Sequence, residues 1–152
     1  MNRGIYNGSL PRERSSSEET VLTLQPEFGA FNAIMDHTLS ALGKNDQTLN
    51  IVLACEEIFT NIVNYSGANE ISYTGKRSGN SWTATFTDNG VAFDPMSEER
   101  EMPEFSELDQ GGMGIMFARM ISREMIYERT GGRNVLTMIF DADDPQTQQN
   151  HN

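Results

Sequence analysis

Apolar positions along the chain follow two periods, and the change from one to the other separates a helical first part from a stranded second part. A short alternating run from Thr20 to Leu24 predicts a strand. Phe28, Phe31, Ile34 or Met35, and Leu39 then recur at helical spacing over Glu27 to Leu42, and Gly43 closes that element. Asn45 or Asp46 caps a second helix that runs to about Tyr65 and ends at Ser66-Gly67. Beyond it the period becomes two. Ile71 to Thr74 and Ser81 to Asp88 read as a hairpin across a Gly75 to Asn80 turn, with Trp82, Ala84 and Phe86 on one face and Thr83, Thr85 and Thr87 on the other. A stretch without periodicity follows from Pro95 to Gly112. Gly114 to Met125 is again helical, and Ile126 to Thr130 and Val135 to Phe140 form two strands around a Gly131-Gly132 turn. This order predicts an α/β (α+β) two-layer sandwich, a mixed and mostly antiparallel sheet covered on one face by about three helices.

The ends change that picture little. Residues 1–19 and 141–152 are polar and turn-rich, which predicts flexible terminal segments around one folded unit, 20–140. Eleven Lys and Arg against 22 Asp and Glu give a net charge of −11, which repels nucleic-acid phosphates and anionic membranes. An anionic ligand must therefore be met locally, by backbone dipoles or a cation. Cys55 is the single cysteine, so an intrachain disulfide framework and a CxxC zinc site are excluded. With no signal-type apolar run near the start and no run of eighteen apolar residues, the expected location is the cytoplasm.

Three clusters could carry chemistry. On the second helix Ile51, Val52, Cys55, Ile58, Phe59, Ile62 and Val63 form a broad apolar arc, and Asn50, Glu57, Asn61 and Asn64 share the remaining stripe. Glu57 and Asn61 are four residues apart, about 5.4 Å along the axis, so a carboxylate and an amide project side by side. Such a pair can hold a hard cation through Asn61 beside the carboxylate; it also fits a solvated helix edge. Asp88-Asn89-Gly90 ends a strand, and strand parity puts Asp88 on the same face as Trp82 and Phe86, where a carboxylate needs a donor. A simple strand-terminating turn is the alternative. Gly112-Met113-Gly114 opens the third helix, where backbone N–H groups suit a polyphosphate, although a glycine hinge reads equally well. The spacing is neither GxxxxGK[ST] nor GxGxxG.

Taken in order, E57-x-x-x-N61, D88-x-G90, G112-x-G114 before a helix and G131-G132-R133-N134-V135 between the last strands resemble the Bergerat-fold (GHKL-type) ATPases. That superfamily includes gyrase-type topoisomerases, the ninety-kilodalton heat-shock chaperone, histidine kinases and mismatch-repair ATPases. Within it the sequence is most similar to the small bacterial anti-sigma-factor serine/threonine kinases. The resemblance implies ATP and Mg²⁺ as cofactors. It assigns Asn61 to the metal and the phosphates, Glu57 to general-base catalysis on a partner's hydroxyl, and Asp88 to the adenine amino group. Gly90 would lie against the ring, and Gly112, Met113 and Gly114 would wrap the phosphates under a lid of about 95–113. Ala92 stands where many relatives have glycine, Tyr65 where several have histidine, and Asn134 where threonine often closes the last motif. The implied partners are a STAS-type anti-anti-sigma protein, a sigma factor and a second copy of the chain, with no direct nucleic acid and no membrane. The competing expectation is a non-catalytic nucleotide-binding interaction module of the same fold.

Overall fold

A computed structural model describes residues 19–96 and 112–143, so most of the expected lid lies outside the described residues. Five strands and three helices follow in the order β1 (Thr20–Leu24), α1 (Phe31–Leu42), α2 (Asp46–Asn61), β2 (Ile71–Ser78), β3 (Ser81–Asp88), α3 (Gly112–Ile121), β4 (Glu124–Thr130) and β5 (Arg133–Asp141). The sheet order is β1-β2-β3-β5-β4, with every neighbouring pair antiparallel. The helices cover one face of it and make a two-layer α+β sandwich.

Local chemistry explains the helix ends. Asn45 is extended (φ −151°) and its side chain accepts from the Thr48 N–H at 2.9 Å, which satisfies one of the orphan donors of the first turn of α2. The α-helix stops at Asn61, a π-helical turn spans Ile62–Ser66, and Gly67 takes the left-handed conformation (φ 69°) that ends it. Ile51, Ala54, Cys55, Ile58 and Phe59 are buried on α2, Phe31, Ile34 and Leu42 on α1, and Ile115 and Ala118 on α3. On the sheet side the inward residues of β3 (Trp82, Ala84, Phe86, Asp88) meet those of β5 (Asn134, Leu136, Met138, Phe140) in one register.

Three expected boundaries shift. The turn of the first hairpin is only Gly79-Asn80, because β2 continues through Gly75 to Ser78. Gly75 is a packing glycine, since a Cβ there would lie 2.5 Å from the Trp82 ring. The third helix ends at Ile121 rather than Met125, since the Arg123 N–H leaves the helix to donate to the Ile139 carbonyl at 2.7 Å and starts β4. The folded unit also runs past 140. Ala142 donates to the Asn80 carbonyl and Asp143 to the Gln47 side chain, both at 2.8 Å.

Candidate nucleotide-binding site

The C-terminal end of α2, the end of β3 and the start of β5 converge on an open cavity. Asn61, Ile62 and Tyr65 line one side, Asp88, Val91 and Phe93 another, and Ile115, Tyr127, Asn134 and Leu136 complete it. Its walls are mostly apolar with a few convergent polar groups, the composition of a small-molecule pocket.

Asp88 is 4% exposed although it is a carboxylate. Burial is tolerable because its Oδ1 accepts from the Gly90 N–H at 2.8 Å and from Asn134 Nδ2 at 3.0 Å. Both bonds fall on Oδ1, and no donor among the described residues is bonded to Oδ2. That oxygen can accept from a ligand amine. Gly90 is buried against the end of α2, where a Cβ would lie 2.6 Å from the Ser66 Cβ, and the Val91 N–H donates to the Ser66 carbonyl at 2.9 Å. Asn89 closes the same seam. Its Oδ1 accepts from the N–H groups of Asn69 and Glu70 at 3.0 and 3.1 Å, which holds the Asp88-Asn89-Gly90 turn against the connector that follows α2.

Asn61 Nδ2 is buried and has no partner among the described residues. A buried donor without a partner costs about 1–3 kcal/mol, so an amide in this position fits a ligand oxygen, with its own Oδ1 suited to a hard cation. Glu57 stands one turn earlier on α2, half-buried and outside the cavity lining, with its carboxylate against the first turn of α3. A Cβ on Gly114 would lie 2.8 Å from the Glu57 Cδ, so only glycine lets α3 pass so close to this side chain. Glu56 is exposed. Gly112, Met113 and Gly114 open α3, as the glycine spacing predicts within two residues.

Of the sequence residues, Asn61 and Asp88 line the cavity, Gly90 follows Asp88 against Ser66, and Glu57 and Gly114 pack on each other outside the lining. Tyr65 and Asn134, noted in the sequence only as departures from a motif, and Tyr127 and Phe93, not singled out at all, also line the cavity. For Asn134 a signal existed, because it shares strand parity with Leu136, Met138 and Phe140 and is a polar residue at an inward position.

Residues 30–140 match the profile of the histidine kinase-like ATPase domain. The chain belongs to that family. A search of curated proteins gives no match. Among solved structures, the chain is similar to the RsbU and RsbW domains of Rv1364c from Mycobacterium tuberculosis, with a TM-score of 0.61 and 16% identity over 85% of this chain and 34% of that one. It thus spans about a third of that protein's chain. The Acinetobacter baumannii histidine kinase AdeS aligns with a TM-score of 0.51 and 14% identity over 82% of this chain and 68% of that one. The histidine kinase domain of the blue-light activated histidine kinase EL346 from Erythrobacter litoralis gives 0.51 and 11% over 92% and 68%. At these identities the likeness establishes the fold, and the family supplies the nucleotide: this histidine kinase-like ATPase domain is a nucleotide-binding unit. No helix among its described residues is long and apolar enough to cross a membrane.

Proposed function

We propose that the chain is a cytoplasmic, ATP-dependent serine/threonine protein kinase of the anti-sigma-factor type, whose substrate is a small STAS-type antagonist protein. The observation that carries the reading is the pairing on α2 of an Asn61 amide, buried at the cavity and without a partner among the described residues, with a Glu57 carboxylate one turn away. Nucleotide binding alone does not require a carboxylate at that position, whereas transfer to a hydroxyl benefits from a base there. The name of the Mycobacterium tuberculosis neighbour, which includes an RsbW domain, agrees with this assignment.

Bound MgATP would supply the phosphoryl group. Asp88 Oδ2 would accept from the 6-amino hydrogen of adenine, and Gly90 would let the ring rest against backbone. Asn61 would hold Mg²⁺ and the phosphates, and the glycines that open α3 would offer their N–H groups to the phosphate oxygens. Glu57 would take the proton from the serine or threonine hydroxyl as its oxygen bonds phosphorus and the ADP oxygen departs. Positioning and charge neutralisation dominate such a transfer, which suits a chain with few polar groups at the site. A STAS partner, a sigma factor downstream and a homodimer are parts of this proposal.

The test is label transfer from radiolabelled ATP with Mg²⁺ to STAS proteins of the source genome. Label on one of them, lost in Glu57→Gln, is the expected result. Tight ATP binding with no transfer to any STAS protein overturns the kinase and leaves a nucleotide-binding interaction module.

A further inference from the structure

Asn134 faces Asp88 directly in the β3–β5 register and is 5% exposed. A side-chain amide has two N–H donors and one oxygen with two lone pairs. All four are engaged. Nδ2 donates to Asp88 Oδ1 at 3.0 Å and to the Val91 carbonyl at 2.8 Å. Oδ1 accepts from the Tyr127 hydroxyl at 2.5 Å and from the Phe93 N–H at 3.3 Å, a donor that it shares with the Tyr127 oxygen. Because the partners of Nδ2 are both acceptors and those of Oδ1 both donors, only one orientation of the amide satisfies them. The group that lies beside the candidate base pocket therefore has no bonding capacity left for a ligand.

We propose that Asn134 is the positioning residue of base recognition, acting through Asp88 and not by touching the nucleotide. This rests on the nucleotide reading given above. Two donors, the Gly90 N–H and Asn134 Nδ2, hold one carboxylate oxygen and so set the plane of the other, leaving Oδ2 to accept from a 6-amino purine. The same amide bonds the Val91 carbonyl and the Phe93 N–H as a peptide group would, which fastens the chain after Gly90 to β5. Without it the carboxylate can rotate, and a 6-oxo purine meets a less strictly placed acceptor. Selectivity should suffer while the phosphate half of the site, on α2 and α3, does not.

The experiment compares wild type with Asn134→Ala and with Asn134→Leu, which keeps the branched shape and removes every bond. Calorimetry measures ATP, ITP and tripolyphosphate, each with Mg²⁺, and amide exchange is followed at Gly90, whose N–H donates to the Asp88 oxygen that Asn134 holds. The expected result is a fall of about fivefold or more in the ATP:ITP preference, with tripolyphosphate binding unchanged and faster exchange at Gly90. A parallel loss for all three ligands, or an unchanged ratio in a folded variant, overturns the proposal. If the wild type does not prefer ATP to ITP, the nucleotide reading fails; Gly90 protection that survives in Asn134→Leu then overturns the Asn134 role independently.

Discussion

A carboxylate and an amide one helical turn apart can be replaced one atom at a time, which makes the residue scale the sharpest for testing. Glu57→Gln keeps the shape that fits against Gly114 and removes the basic oxygen. Phosphotransfer is expected to fall by about 10²–10⁴ with ATP affinity nearly unchanged, and the exposed Glu56→Gln serves as control. Equal transfer rates in Glu57→Gln and wild type would place the base elsewhere. Asp88→Asn alters a buried group that already accepts two bonds on one oxygen. A misplaced amide donor there is expected to weaken ATP binding by about 1–3 kcal/mol, roughly 5- to 150-fold, read by calorimetry. GTP binding as tight as ATP in the wild type would remove the adenine role from Asp88, because guanine presents a carbonyl where adenine presents an amine.

The elements hold these residues through their ends more than through their middles. α2 begins at the Asn45 cap and carries Glu57 and Asn61 in its last two turns, so its start sets the rotation of both. Asn45→Ala removes the acceptor for the Thr48 N–H and is expected to cost about 1 kcal/mol, lowering the melting temperature by about 2–4 °C. Asn45→Asp keeps a capping oxygen and should stay near wild type; matching losses in the two variants would show that the cap contributes nothing. At the other end of α2, Ser66 serves the fold twice, since its carbonyl accepts the Val91 N–H and its hydroxyl accepts the Ala68 N–H at 2.9 Å. This seam joins helix to strand and brings Asn61 and Asp88 to one cavity.

Across the whole molecule, the clearest consequence of packing is a histidine held between the layers. The His37 ring on α1 lies 5.5 Å from the Trp82 ring of β3, and its Nε2 is buried with no partner among the described residues. Burial lowers its pKa from the ordinary value of 6.5, opposed in part by a bond to the Gly75 backbone. The unfolded chain therefore binds a proton more readily than the folded one. Stability contributed by neutral His37 is complete above pH 6.5 and is lost as pH falls through 6.5 toward the lowered folded value. Urea unfolding at several pH values is expected to show a shallower acid decline for His37→Phe than for wild type, and identical slopes would contradict the assignment. The sequence by itself determined the periodic elements, the cap of α2, the glycine that ends its π-helical turn and the inward parity of Asp88, because these depend on contacts within a few residues. It also placed Glu57 and Asn61 on one stripe, since helix geometry needs no partner. Tertiary structure alone decided that Gly75 is a packing glycine, that the chain leaves α3 at Arg123, and that Asn134, Tyr127 and Asp88 form one network. Each of these depends on strand register and on which helix passes over which strand, and residues 46 positions apart become neighbours only when β3 and β5 pair.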